Sequence, residues 1–278
     1  MKIGMKRRRT ATNTLHKTHS SSLPACCQLN PTLAETDANM ARADGLLERY
    51  GPGDIDLLVL PEMAFTGYVF ESSEEIEPYL EDEETGPSVM WAKKEAVRLQ
   101  SFVVVGYPER TKDGKCYNSL CCINPKGERV KTYRKAFLYK NDEYWALEGP
   151  GFESLEIEGL GKVGFAICMD INPYQFKADF TAYEFARFHT TKKTRLVIGC
   201  MSWVKGGDVL STIRYWVQRL LPLVIGEEEV CFVASNRIGT ERGVTFAGGS
   251  CLINMGNQTL DLKGYLDENE EDVLVVDV

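Results

Sequence analysis

The sequence contains no long apolar run. Among its 278 residues no stretch reaches the roughly 18 consecutive apolar positions of a transmembrane helix, and no apolar core of a secretory signal is found. No segment repeats with a period of about 20 to 50 residues. These absences argue against membrane-spanning and repeat proteins. What remains is a chain with 44% hydrophobic residues, an ordinary value for a globular enzyme or binding protein.

Paired metal-ligand motifs are also missing. The nine cysteines include no C-x-x-C, and the vicinal pairs Cys26–Cys27 and Cys121–Cys122 have a spacing poorly suited to a disulfide framework or a zinc site. Cys116 lies five positions before Cys121, but no second pair with suitable spacing follows. We therefore expect no metal, a reducing compartment such as the cytoplasm, and thiols that pack as small buried hydrophobic groups.

Histidine is scarce. The chain has three, and two of them, His16 and His19, lie near its N-terminus. The third, His189, lies in EFARFHTTKKT at the polar end of a predicted helix, where a solvated cap is the simpler interpretation. Because cysteine nucleophiles usually take a histidine as base, a nucleophilic cysteine in this chain would rely on a carboxylate instead.

Acidic residues are absent from the first 34 positions, which carry only positive charge. The basic side chains there are Lys2, Lys6, Arg7, Arg8, Arg9 and Lys17. Since the whole chain has a net charge of -8, the remainder is strongly acidic, which disfavours nucleic acid and favours cationic partners such as amines. We predict a flexible basic head or insertion over residues 1–22; a nuclear signal or a mitochondrial transit peptide is the alternative.

The rest of the chain, residues 23–278, has no linker and is predicted to form one domain. Strand patterns occur at residues 23–31, 56–61, 101–110, 116–125, 128–137, 154–159, 162–168, 196–203, 230–236, 246–254 and 272–278. Helical patterns occur at residues 32–50, 87–100, 180–188 and 209–225, with Thr32 and Glu35 spaced as a capping box and Pro222 bending or ending the last helix. This alternation predicts sheets with helices packed outside them.

Cys168 lies where the strand pattern of KVGFAIC stops, directly before a carboxylate and a proline. A thiol at a strand end can stand at the rim of a sheet, where the following turn offers backbone N–H groups to a developing oxyanion. Cys168 is therefore a candidate nucleophile. A buried structural thiol is the alternative interpretation.

Two other charged residues have comparable positions. Glu62 follows the apolar run of LLVLPEMAF, where burial would raise its pKa towards that of a useful base; a surface carboxylate is the alternative. Lys135 in RVKTYRKAFLY can hold a cation near a thiolate and an oxyanion; a charged residue that protects a strand edge is the alternative.

Glu62, Lys135 and Cys168, in this order, resemble the catalytic set of the nitrilase superfamily of carbon–nitrogen hydrolases. The surrounding segments LPEMAFTGY, YRKAFLY, GFAICMDINPYQF and ASNRIGTERGVTFAGGSCLI are similar as well, so the resemblance covers roughly residues 24–278. KNDEYWALEGPGF and CMDINPYQF resemble the branch of protein N-terminal asparagine and glutamine amidohydrolases.

The resemblance implies an α/β fold of the nitrilase type, a four-layer α-β-β-α sandwich that commonly pairs into a homodimer through its helices. It also implies a second glutamate shortly after the lysine, and Glu143 takes this role as the residue that positions Lys135 and the substrate; an exposed loop acid is the alternative. The initial MKIG resembles the first half of the family's opening strand, so residues 4–23 read as an insertion.

The implied reaction deamidates N-terminal Asn or Gln of proteins or peptides to Asp or Glu through a cysteine thioester, a step of N-degron processing. Lys135 and the backbone N–H of Met169 would hold the oxyanion. Asp170 is our candidate for binding the substrate's α-ammonium group, with a helix N-cap as the alternative. Ser202 and Trp203 would line the pocket, although Trp203 also fits a core position.

Two other functions stay open at this point. One is a small-molecule ω-amidase or carbamoyl-type amidase of the same superfamily, and the other is an inactive nitrilase-like binding module. Neither the proposed reaction nor the sequence calls for a cofactor, because nothing in the chain resembles a phosphate cradle.

Overall fold

The computed structural model describes residues 22–278. The predicted basic head therefore lies almost entirely outside the described residues, as do MKIG and most of the predicted insertion. The strands, β1 to β14, are Pro24–Gln28, Leu57–Val59, Phe102–Arg110, Cys116–Ile123, Arg129–Arg134, Ser154–Ile157, Gly161–Ile167, Leu196–Cys200, Val230–Ser235, Thr240–Glu241, Val244–Thr245, Cys251–Gly256, Thr259–Tyr265 and Asp272–Val275. The α-helices, α1 to α6, are Thr36–Leu47, Ser73–Ile76, Pro87–Leu99, Glu184–Lys192, Val209–Arg219 and Leu221–Ile225.

Two six-stranded sheets form the centre of the fold. The first has the order β14-β1-β2-β3-β4-β5, and the second has the order β13-β12-β9-β8-β7-β6. In each sheet three central strands run parallel and the outer pairs are antiparallel. Helices α1 and α3 pack on the outer face of the first sheet, and α4, α5 and α6 pack against the second. The predicted α-β-β-α sandwich is confirmed.

Side chains of the central strands alternate between the two faces of each sheet. Cys26 and Cys122 lie in the core between the sheets, whereas their neighbours Cys27 and Cys121 lie in the core beneath α1 and α3. Each vicinal pair therefore points to opposite faces, and all nine cysteines are free. Both sides of the strands are buried, which explains why they read as continuous apolar runs.

Element boundaries differ from the sequence patterns in a few places. Helix α1 begins at Thr36, and its N-cap residue Glu35 makes no side-chain capping bond, so the predicted capping box is wrong. Asn39 explains the shift: its side chain pairs with both the N–H and the C=O of Thr32, at 2.8 and 2.7 Å, and holds the preceding segment in a turn. The break predicted at Pro222 is confirmed, because α5 ends at Arg219 and α6 starts at Leu221.

Three strand ends bring the candidate residues to one rim of the sandwich. Glu62 lies three residues past β2, Lys135 directly follows β5, and Cys168 directly follows β7. Gly106 on β3 makes room for the first of them, since a Cβ there would stand 2.6 Å from the Cα of Glu62 and 2.7 Å from the carbonyl oxygen of Pro61. The first sheet thus supplies the acid and the amine, and the second supplies the thiol.

Within residues 22–278, no helix combines the length and the apolar character needed to cross a bilayer.

Candidate active site

A buried amine lies between two carboxylates at this rim. Lys135 Nζ donates to Glu62 Oε1 at 2.6 Å and to Asp142 Oδ2 at 2.6 Å, and all three residues are fully buried. The side-chain amide of Asn118 donates to the same two carboxylates, at 2.8 Å to Glu62 Oε1 and 3.0 Å to Asp142 Oδ1. One cation and one amide therefore hold two anions in fixed positions, the geometry that makes a buried charge cluster tolerable.

Asp142 occupies the position that we expected for Glu143. A single helical turn covers Asp142–Tyr144, and Asp142 also accepts the backbone N–H of Tyr139 at 2.9 Å. Glu143 is exposed to solvent. Successive side chains on a helical turn point about 100° apart, so only one of two adjacent acids can face Lys135. The prediction for Glu143 is wrong by one residue, and the alternative of an exposed loop acid holds.

Cys168 lies beside this cluster and reaches the solvent through a cavity. Its backbone adopts a positive φ of 39°, a strained conformation that turns the chain sharply at the end of β7. The residue is 8% exposed and lines a cavity of about 420 Å³. A thiol that is buried yet open to a cavity fits a nucleophile better than the alternative of a structural core residue.

The electrostatics favour a thiol that needs a base. Burial and the neighbouring Glu62 raise the pKa of Cys168 well above its ordinary value, while Lys135 and the backbone N–H of Ser202 oppose the rise. Burial also raises the pKa of Glu62, against the attraction of Lys135. Glu62 Oε2 is buried and has no hydrogen-bond partner among the described residues. This free oxygen is the group suited to accept the proton of Cys168.

Lys135 stays protonated in this setting. Burial would lower the pKa of its ammonium group, but the carboxylates of Asp142 and Glu62 raise it above the ordinary value. The amine therefore acts as a fixed positive charge. It can stabilise a developing oxyanion but cannot serve as a base.

Asp170 has a structural role, contrary to the prediction that it binds the substrate. Its carboxylate accepts four hydrogen bonds, from the backbone N–H groups of Ala136, Phe137 and Ile167 and from the hydroxyl of Tyr133, at 2.8 to 3.0 Å. Burial raises its pKa to about 6 although these bonds oppose the rise. With its oxygens so occupied, the carboxylate ties the segment after β5 to the turn after β7 and does not line the cavity.

The other predicted pocket residues do line the cavity. Met169, Ser202 and Trp203 contribute to its wall next to Cys168. The hydroxyl of Ser202 donates to the backbone carbonyl of Glu62 at 3.0 Å, so the end of β8 is tied to the segment that carries the base. Trp203 is partly exposed at the cavity and is not a buried core residue.

His189 is neither a cap nor a base. It is completely buried, its Nδ1 lies 2.9 Å from Thr194 Oγ1, and its ring packs 4.3 Å from that of Phe185. Burial lowers its pKa to about 3. The expectation of a solvated cap is therefore wrong, and His189 does not line the cavity.

Sequence reasoning missed Asn118, Asp142 and Tyr68. Tyr68 is buried beside the cluster, with Lys135 Nζ 5.6 Å from its ring centre, and its hydroxyl has no partner among the described residues. Asn118 carried a signal, because a lone amide inside the buried strand β4 must find hydrogen-bond partners. In residues 22–278 no group of three or more His, Cys, Asp or Glu side chains could hold a metal.

The chain is similar to known proteins over most of its length. A family model described as carbon-nitrogen hydrolase matches residues 24–278. A protein N-terminal amidase of Schizosaccharomyces pombe is 33% identical, with 90% of this chain and 97% of that protein covered. A protein N-terminal amidase of Saccharomyces cerevisiae is 30% identical, and that match covers 66% of this chain and 45% of the longer yeast protein. A crystal structure of an N-terminal amidase with an Asn-Glu peptide superposes with a TM-score of 0.85, at 20% identity, covering 93% of this chain and 97% of the other.

Proposed function

The chain belongs to the carbon-nitrogen hydrolase family, and we propose that it hydrolyses the side-chain carboxamide of N-terminal Asn or Gln in peptides and proteins. The products are ammonia and an N-terminal Asp or Glu. The observation that carries the proposal is the convergence of a thiol, a carboxylate with a free oxygen and a fixed ammonium group beside one cavity. Its substrate class is supported by the two relatives named protein N-terminal amidase.

In the first half-reaction Glu62 accepts the proton of Cys168, and the thiolate attacks the carboxamide carbon. The negative charge that develops on the carboxamide oxygen is stabilised by Lys135 and the backbone N–H of Met169, each worth roughly 3 to 4 kcal/mol. Glu62 returns the proton to the departing nitrogen, so ammonia leaves and a thioester remains. Water then attacks the thioester with Glu62 as base, which releases the acid and regenerates the thiol.

The cavity wall favours a peptide terminus over a small ω-amide acid. Among the described residues, none that lines the cavity is charged. A small ω-amide with a free α-carboxylate would bury that charge without a cation to pair with it, which is costly. In a peptide the same carboxyl group is part of an amide bond and carries no charge. The neutral wall therefore supports the deamidation of chain termini.

Further expectations stay predictions. A reducing compartment such as the cytoplasm, where N-degrons are processed, is supported by the nine free cysteines. The single domain over residues 23–278 is supported by a core that both sheets share. The homodimer rests on the family resemblance alone.

The proposal predicts ammonia release that depends on a free chain terminus. We expect the purified protein to release ammonia from the peptides Asn-Ala-Gly and Gln-Ala-Gly, and to leave N-acetyl-Asn-Ala-Gly and Ala-Asn-Gly untouched. Ammonia is measured with a coupled assay, and the mass of the product rises by about one unit as amide becomes acid. Equal rates with the acetylated peptide would indicate a general amidase. No release from any amide would indicate a binding module.

The one-residue correction at Asp142 has its own test. Replacing Asp142 by Asn removes one of the two anions that fix Lys135, so the ammonium group no longer points reliably at the oxyanion. We expect Asp142→Asn to lower kcat on the order of 100-fold, as for the loss of one oxyanion contact. The matched change Glu143→Gln removes an exposed charge and should alter kcat less than about twofold.

Thermal unfolding of both variants separates activity from folding. The comparison contradicts the assignment of Asp142 if the Glu143 variant loses as much kcat as the Asp142 variant at an unchanged melting temperature.

A further inference from the structure

A free α-ammonium group needs a partner in the site. Among the described residues, no anionic side chain lines the cavity. Asp170, the carboxylate nearest in sequence to the nucleophile, is occupied by four hydrogen bonds. Two other acids lie near the lining residues of α5 or their neighbours. Glu268 pairs with Lys205 at 2.7 Å, and Asp208 caps α5 by accepting the N–H of Ser211 at 2.6 Å. Because no charged residue lines the cavity among the described residues, neutral groups are the partners that its wall offers to the terminus.

Aromatic rings form much of the cavity wall. Trp203 and Tyr215 lie side by side with ring centres 5.6 Å apart, and Tyr139 and Phe176 form a second pair at 6.2 Å. All four line the cavity. The face of an aromatic ring carries partial negative charge and attracts a cation, most strongly for tryptophan. Phe176 is 57% exposed and so stands at the mouth, which leaves the Trp203 and Tyr215 pair as the sheltered surface.

An amide oxygen lies beside this pair. The Tyr215 hydroxyl donates to Asn172 Oδ1 at 2.8 Å, and Asn172 Nδ2 approaches Met169 Sδ at 3.5 Å. These contacts fix the orientation of Asn172, which also lines the cavity. A carbonyl oxygen has two lone pairs, so Asn172 Oδ1 can accept one further hydrogen bond. The ring faces and this oxygen together make a neutral site for an ammonium group.

The chemistry of the nucleophile gives a reason for a neutral site. Burial and Glu62 already raise the pKa of Cys168, and a further buried carboxylate would raise it more and disfavour the thiolate. Ring faces attract the ammonium group without adding a full negative charge beside the sulfur.

We propose that the α-ammonium group of the substrate is bound by the ring faces of Trp203 and Tyr215 together with the carbonyl oxygen of Asn172, in place of a carboxylate. This proposal rests on the proposed function and specifies how the same site selects a free terminus. The ligand class is a primary ammonium group that lies three bonds from the carboxamide carbon in N-terminal Asn and four bonds from it in N-terminal Gln.

Two substrates that differ only in the ammonium group test the proposal. Asn-Ala-Gly carries the charge, and succinamoyl-Ala-Gly has the same carboxamide with hydrogen in place of the α-amino group. The measured quantity is the ratio of kcat/KM for the charged substrate to that for the neutral one. We expect Trp203→Leu to lower this ratio about 10-fold, the magnitude of a cation–π contact in a sheltered site, because it removes the ring face. Trp203→Phe keeps a ring and should lower the ratio less than about 3-fold.

Two control variants isolate the role of the rings. Phe188→Leu removes a partly buried aromatic ring of α4 that does not line the cavity. Asp208→Asn removes the carboxylate closest in sequence to the lining residues of α5 while keeping an oxygen that can cap the helix. Neither change should alter the ratio. Melting temperatures show which variants remain folded.

The outcomes distinguish this inference from the function on which it rests. Equal losses of kcat/KM on both substrates in Trp203→Leu would show that the ring only shapes the pocket and would overturn the inference. A collapse of the ratio in Asp208→Asn would assign the ammonium group to a carboxylate and would also overturn it. A wild-type protein that releases ammonia from neither peptide would reject the proposed function, and the inference with it.

Discussion

Replacing Cys168 by Ala should abolish ammonia release, with a loss of at least about 10⁴-fold in kcat. No other thiol can take over the attack, because Cys168 is the cysteine that lines the cavity within the described residues. Without the sulfur no thioester forms, and direct attack of water lacks the positioned nucleophile that splits the reaction into two easier steps. The change removes one atom at a cavity surface, so the fold should remain.

The Cys168→Ser variant gives the matched control for shape. Its hydroxyl keeps the size and polarity of the side chain, but a serine hydroxyl has a far higher pKa than a thiol, and the same base should fail to activate it. We expect it to be as inactive as the alanine variant and to melt within a few degrees of the wild type. In the wild type, mass spectrometry of acid-quenched reactions should detect a covalent adduct that both variants lack. Substantial activity in Cys168→Ala would reject the thioester mechanism.

Replacing Lys135 by Met should lower stability as well as activity. The change leaves Glu62 and Asp142 buried without their shared cation, and such a broken ion pair typically costs about 3 to 5 kcal/mol of the free energy of unfolding. Activity should fall by at least 100-fold, because the oxyanion loses its cation and repulsion between the two carboxylates raises the pKa of Glu62 further. Urea unfolding and ammonia release measure the two effects.

A second lysine on the same strand provides the comparison. Lys131 of β5 pairs with Glu153 at 2.5 Å in a partly exposed site, where an ion pair is worth at most about 1 kcal/mol. We expect Lys131→Met to leave activity unchanged and to shift the urea midpoint only slightly. The double variant Lys135→Met, Asp142→Asn removes one of the two unpaired buried carboxylates, so it should be more stable than Lys135→Met while staying inactive. Equal midpoints for the two single lysine variants would contradict the buried cluster.

The candidate residues Glu62, Lys135 and Cys168 show where the sequence was informative. Glu62 follows one apolar strand pattern and Cys168 ends another, while Lys135 lies near the end of a more polar strand pattern over residues 128–137; strand ends of a layered fold tend to meet at one edge. A charged residue there is costly to bury unless it has partners, so their coincidence pointed to a site. The same reasoning could have identified Asn118, a buried amide within β4.

The sequence pattern could not predict the orientation of individual side chains. Asp142 and Glu143 are neighbours of similar chemistry, and only the phase of one helical turn decides that Asp142 meets Lys135. Asp170 had the right charge next to the nucleophile, but four donors from two separate segments occupy its oxygens. His189 had polar neighbours in sequence, yet packing against Phe185 and Thr194 buries it.

By itself, the sequence indicated most of the strands, because apolar periodicity is a local property of the chain, and its resemblance to the nitrilase superfamily indicated the layered class and the candidate residues Glu62, Lys135 and Cys168. Tertiary structure alone decided which acid holds Lys135, which carboxylate is unavailable and which rings line the cavity. Those outcomes depend on contacts between residues far apart in the chain, such as Ser202 with Glu62 or Tyr215 with Asn172, and no local pattern encodes such distances.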